Sequence, residues 1–180
     1  MYRRGSSVAR QCEMDGSSSH DRQRLSDAEA VAFARPDVLV GAGDAAGSQL
    51  AELAATYYGF WNNGSPMLFE ATVSPAYTDR TLPAGREQGP SGLATAGAAF
   101  FAAFPDGRVK ILQQILVGDR IVNHLRVTGT FTGTRKGVAG AGQAIDYLAT
   151  DIMRVSGELI VENWHVDDHE TLHRQMSASV

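Results

Sequence analysis

The hydrophobic period of this chain changes once, at Pro105-Asp106-Gly107, and that change limits the possible folds more than any other feature. Upstream, apolar residues recur at three- and four-residue spacing, as on helices; downstream they alternate, as on strands. Ser48 to Trp61 carries Leu50, Leu53, Ala54, Tyr57, Tyr58 and Trp61 as one apolar stripe. Asn62-Asn63-Gly64 stops that helix with residues that tolerate a left-handed terminus. Ser65-Pro66 opens a second helix to about Val73, with Ser as cap and Pro in the first position. The following stretch, SPAYTDRTLPAGREQGPSG, is rich in turn residues and reads as a loop carrying Asp79 and Arg80. A third helix, Ser91 to Phe104, sets Leu93, Gly97, Phe100, Phe101 and Phe104 on one side, and Gly97 would let it pack closely on a sheet.

After the switch, VKILQQILV, the turn Gly118-Asp119 and RIVNHLRVTGTFTG predict an antiparallel hairpin. A glycine-rich loop, TRKGVAGAGQ, leads to two more strands and a short terminal helix ending near Met176. Helices followed by strands define an α+β domain, with three N-terminal helices packed on a curved, mainly antiparallel sheet of four to six strands. Such a sheet, closed at one face by helices, leaves a conical cavity suited to a small apolar ligand.

Residues 1–45 read as a disordered or loosely ordered arm, because their polar composition buries little apolar surface, and residues 46–178 as the domain. Within the arm, Gly41-Ala42-Gly43 and Gly47 imitate a phosphate-cradling turn, but no later strand–helix alternation builds a dinucleotide fold. A net charge of −4 provides no field for nucleic acid or an anionic membrane, and no apolar run is long enough to span a bilayer. The start of the chain has no secretory pattern, and the single cysteine, Cys12, suits a reducing compartment, so a cytoplasmic protein is expected.

Chemistry concentrates at the end of the chain. Three of the five histidines lie between His165 and His173, beside Asp151, Glu162, Asp167 and Asp168. Which of these share a face depends on one turn. A two-residue loop at Ser156-Gly157 puts Asp151 with Glu162 and Trp164; a three-residue loop puts it with Asn163 and His165. The second arrangement makes a carboxylate–imidazole acid/base unit, or a structural ion pair at a sheet rim. On the preceding hairpin His124, Arg126, Thr128 and Thr130 share a polar face, which meets either solvent or a pocket where His124 would touch substrate. His169-Glu170-Thr171-Leu172-His173 matches the HExxH zinc pattern, but no third ligand follows it and an amphipathic helix explains the same residues, so no metal is expected.

The phrases FWNNG, SPAYTDR, FPDGRV, LVGDRIVNHLRVTGTFTG and RVSGELIVENWHVDD, in this order and spacing, resemble the SnoaL-like polyketide cyclases of the nuclear-transport-factor-2-like superfamily. The similarity runs from about Ser48 to Met176. It implies a cone-shaped α+β domain, a small apolar carbonyl substrate of polyketide type, a homo-oligomer, and intramolecular aldol closure without metal or organic cofactor. By resemblance, the pocket residue after the PxY turn falls on Asp79, and the first-helix aromatic on Trp61 with Tyr57 one turn earlier. The family's penultimate-strand histidine falls on Asp151, its final-strand histidine on Asn163 and its catalytic aspartate on His165. Carboxylate and imidazole have therefore exchanged places, and Phe131 replaces a further family histidine. The implied catalytic pair is His165 and Asp151, with Asp79, Asn163, Trp61, Tyr57 and His124 around the substrate. The same fold also serves isomerases, dehydratases, epoxide hydrolases and non-catalytic ligand-binding or dimerisation modules.

Overall fold

A computed structural model describes residues 24–179; Cys12 and the first 23 residues of the arm lie outside the described residues. Ordered structure begins earlier than the expected boundary at residue 46. Helix α1, Asp27–Ala34, starts at Ser26 with a capping box, in which the Ser26 side chain accepts from Glu29 N–H and Glu29 reaches back to the cap. Asn62 and Asn63 bind its backbone and Asp27, and Ala30 and Ala34 are fully buried. Strand β1, Val38–Val40, then adds a parallel edge strand to the sheet. Residues 27–45 are thus not arm. The Ser-Asp-Ala-Glu sequence is the signal that marks α1, whose mostly small residues conceal it from a hydrophobicity reading.

Helix α2, Ala45–Asn63, is capped by Asp44, whose side chain accepts from Gly47 N–H at 2.7 Å, and ends at Gly64 with φ 75°. Its last turn is tied to the sheet by Asn62, which accepts from Val109 N–H at 2.7 Å and donates to the Val109 carbonyl at 3.0 Å. Helix α3, Pro66–Glu70, is shorter than expected because strand β2, Val73–Asp79, takes over the segment that reads as a loop. Pro75 explains the misreading. It lies where the ladder between β2 and its neighbour is interrupted, and β2 is an edge strand, the place a sheet tolerates proline. Helix α4, Pro90–Ala103, packs against α2 rather than the sheet at Gly97, where an added Cβ would stand 2.5 Å from the Phe60 ring.

The strands after the period switch are β3, Arg108–Val117, and β4, Arg120–Phe131, joined at Gly118-Asp119 as expected. The glycine-rich loop holds a small ribbon of β5, Thr134–Arg135, and β6, Val138–Ala139. Strands β7, Gln143–Ser156, and β8, Leu159–Asp167, form the last hairpin, and helix α5, His169–Met176, follows with Asp168 as its cap. Six strands make one curved sheet in the order β1-β3-β4-β7-β8-β2, antiparallel in the middle with a parallel strand at each edge. Its inner face meets α2 and α4 through Tyr57, Tyr58, Leu93, Phe100, Phe104, Ile111, Leu125 and Met153. No helix among the described residues is long and apolar enough to cross a membrane.

Candidate active site

The β7–β8 turn settles which face Asp151 occupies, by a route neither loop length anticipates. Gly157 and Glu158 form a two-residue loop with Gly157 at φ 62°, flanked by the pair Ser156 and Leu159. Val155 pairs with Ile160 but Arg154 with Glu162, so Val161 is an extra residue in β8. That bulge reverses the alternation beyond it and brings His165 opposite Asp151 and Asn163 opposite Met153. A single inserted residue therefore converts the face that would have carried Glu162 and Trp164 into one carrying Asn163 and His165.

Asp151 lies in a row of polar residues that crosses the inner face of four strands at one level. Gln114 on β3 pairs with Asn123 on β4, Asn123 with Asp151 on β7, and Asp151 with His165 on β8. Gln114 donates to Asn123 Oδ1 at 2.7 Å. Asp151 itself is 3% exposed. Its Oδ2 accepts from the Tyr58 hydroxyl of α2, and its Oδ1 from Asn163 Nδ2 at 3.1 Å, with His165 Nδ1 2.6 Å from the same oxygen. A buried carboxylate is tolerated only with such partners.

His165 reaches a second carboxylate on its other side: Nε2 lies 3.1 Å from Asp167 Oδ2. Burial opposes charge on this ring, but Asp151 and then Asp167 outweigh it and hold His165 well above its ordinary value. Burial likewise pushes the Asp167 carboxyl up, and the contact with His165 outweighs it, leaving Asp167 below the usual range. Both contacts favour the charged form of the ring, which sits between the Asp151 and Asp167 carboxyl groups. Burial first, and nearby acidic or phenolic groups second, raises the hydroxyls of Tyr57, Tyr58, Tyr77 and Tyr147, so all four remain neutral donors at ordinary pH.

These groups border a cavity of about 290 Å³ between α2, α4 and the sheet. Its deeper wall is Tyr57, Trp61, Leu93, Phe100, Leu125 and Val127, and its polar side holds Asp79, Asp151, Asn163, His165 and Asp167. Asn163 Oδ1 is buried near Tyr77 and has no other hydrogen-bond partner among the described residues. Asp79, at the end of β2 rather than on a loop, is turned to local work: its Oδ1 accepts from Thr81 N–H at 2.8 Å and Thr81 Oγ1 at 3.1 Å. Thr81 Oγ1 in turn accepts from His165 N–H at 2.9 Å, so Asp79 braces the strand that carries the imidazole.

Of the residues expected at the site, His165, Asp151, Asp79, Asn163, Trp61 and Tyr57 border this one cavity. His124 does not. It alternates with the buried Asn123 and Leu125, is itself half-buried, and is not among the residues that line the cavity. Tyr58, Asp167, Gln114 and Asn123 join the site without having been expected there. Helical spacing marks Tyr58 only as core, and the cross-strand row becomes visible only once register is known. His169 opens α5 and His173 lies in its last turn, and among the described residues no group of three or more His, Cys, Asp and Glu side chains is placed to hold a metal ion.

A helix-covered, curved six-stranded sheet around a cavity is the nuclear-transport-factor-2-like architecture. The chain belongs to the SnoaL-like polyketide cyclase family, whose sequence profile matches residues 51–176. A crystal structure of a candidate polyketide cyclase from Bacillus cereus ATCC 10987 is 30% identical, covering 80% of this chain and 93% of its own, with a TM-score of 0.71. A candidate SnoaL-like polyketide cyclase from Jannaschia sp. CCS1 is 20% identical, with coverage of 74% and 94% and a TM-score of 0.66. A protein of ketosteroid isomerase-like fold from Catenulispora acidiphila DSM 44928, in complex with trimethylamine, shares the fold at 16% identity, with coverage of 71% and 94% and a TM-score of 0.56. No curated protein matches the chain.

Proposed function

We propose that this protein is an acid/base enzyme of the polyketide cyclase type, acting without a cofactor on a small, largely apolar carbonyl compound. One observation carries the reading: Asp151, buried on the floor of the cavity, is bound at once by Tyr58, Asn163 and His165. Burying a carboxylate beneath an imidazole costs several kcal/mol unless partners offset it, and a domain that needed only a core would place apolar side chains there. Asp151 fixes the ring of His165 and balances its charge. The imidazolium then stabilises negative charge that develops on a carbonyl oxygen as the neighbouring carbon loses a proton. The enolate attacks a second carbonyl of the same molecule, and the cavity's aromatic wall holds the chain folded for closure.

Turnover of a panel of polyketide β-keto esters by the wild type, His165→Ala and Asp151→Asn tests this. Losses of about 100-fold or more in both variants support the assignment. Equal rates in all three would leave a ligand-binding module of the same fold.

A further inference from the structure

The reading above leaves open which group removes the proton, and the geometry points to one. We propose that Asp167 is the catalytic base of this cavity, with the His165 ring held between it and Asp151. The assignment rests on the acid/base reading and goes beyond it by naming a residue that neither the motifs nor the family's aspartate position identifies.

A base must offer the substrate a lone pair that nothing else occupies. Asp151 does not: three donors converge on it and its side chain is 4% exposed. His165 does not either, since each ring nitrogen already faces a carboxylate oxygen. Asp167 differs from both. Strand alternation puts it on the same face as His165, with Val166 between them turned outward and 65% exposed. Its side chain borders the cavity and is 16% exposed. Its contacts with His165 and His169 both run through Oδ2, and among the described residues Oδ1 takes no partner.

The step balances without a further reactant. A C–H bond next to the substrate carbonyl breaks, its proton passes to Asp167, its electron pair forms the enolate C=C bond, and the carbonyl π pair moves to the oxygen. The imidazolium still faces Asp151, so the buried cation keeps a counter-charge throughout. When the enolate carbon bonds to the second carbonyl, the resulting alkoxide takes the proton back and Asp167 is restored. Besides His165 on its own strand, the charged and titratable groups facing Asp167 are His169 on α5, Arg135 on β5 and Tyr147 on β7. The contact with His165 outweighs burial and keeps the carboxylate ionised.

Hydrogen–deuterium exchange at the methylene of methyl benzoylacetate, followed by proton NMR in D2O, isolates this step from ring closure. The wild type is expected to exchange it faster than buffer, with a rate that falls as pH drops through the carboxylate range. Asp167→Asn should slow it by about 100-fold or more and lose that acidic limb, while Asp167→Glu, which keeps a carboxylate, should recover part of the rate. Unchanged imidazole 15N signals for the Asp151-bound nitrogen of His165 would show that the variants keep the fold. An active wild type matched by Asp167→Asn would overturn the base assignment and leave the acid/base reading standing. A wild type no faster than buffer would overturn both.

Discussion

The last hairpin carries a carboxylate among basic groups on each of its faces. On the outer face Glu162 accepts from Arg154 and Arg80; on the inner face Asp151 accepts from Tyr58, Asn163 and His165. The outer partners are guanidiniums, which stay charged at any ordinary pH, and Arg154 first and Arg80 second hold Glu162 below the usual carboxylate range. The inner partner is an imidazole, whose charge changes near neutrality unless its surroundings forbid it. Outside, the cluster is a fixed clamp between strands at the solvent boundary. Inside, it is a hydrogen-bonded group beside the aromatic lining of the cavity. The same two strands support both because the Val161 bulge assigns Glu162 to one side and Asn163 and His165 to the other.

If that contrast is right, the two faces respond differently to substitution. Asp151→Ala is the most damaging change, since it strips the buried Tyr58 hydroxyl and Asn163 amide of their acceptor and His165 of its nearer counter-charge; a loss of about 3 kcal/mol in urea unfolding is expected. The pH dependence of stability should change with it. The folded value of His165 lies above its unfolded one, so its stabilising contribution is complete below the unfolded value and fades as pH rises through the folded one. Asp167 runs the other way, contributing above its unfolded value and losing that contribution as pH falls through its lowered folded one. Wild-type stability should therefore peak between the two, and Asp151→Ala should flatten the alkaline side.

Tyr58→Phe comes next. It removes one donor from the buried carboxylate while keeping the ring packed on Tyr57, whose centroid is 5.1 Å away. A loss of about 2 kcal/mol is expected in the same unfolding measurement, together with slower turnover. Glu162→Gln is the smallest: the outer clamp loosens, so melting temperature drops slightly, while exchange of the β-keto ester proceeds at the wild-type rate. A Glu162→Gln variant as inactive as Asp151→Asn would erase the distinction between the faces.

Much of the architecture was legible in the sequence because local signals agreed. The helix stops at Asn62-Asn63-Gly64, the strands alternate on either side of Gly118-Asp119, and Asp168 caps α5, each where turn and cap chemistry place it. The edge strands were not legible. β1 is three exposed residues after a proline, and β2 contains one, so both owe their structure to a neighbouring strand rather than to their own pattern. At the site, the pairing of Asp151 with His165 was one of two open registers, and nothing local to β8 announces the bulge at Val161. His124 was expected at the substrate because polar alternation cannot tell which face a helix will cover. Tyr58 needed the third dimension, since it reaches Asp151 from α2; Asp167 stands two residues from His165 on one strand, where alternation gives a shared face but not a contact.

The charge on His165 is the point on which the account turns. Imidazole 15N NMR across a pH titration reads it directly. The prediction is a ring protonated on both nitrogens at pH 7, releasing its proton only well above the ordinary histidine value, and doing so at lower pH in Asp151→Asn. A His165 that is neutral at pH 7, or that titrates identically in wild type and variant, would contradict the site described for this fold.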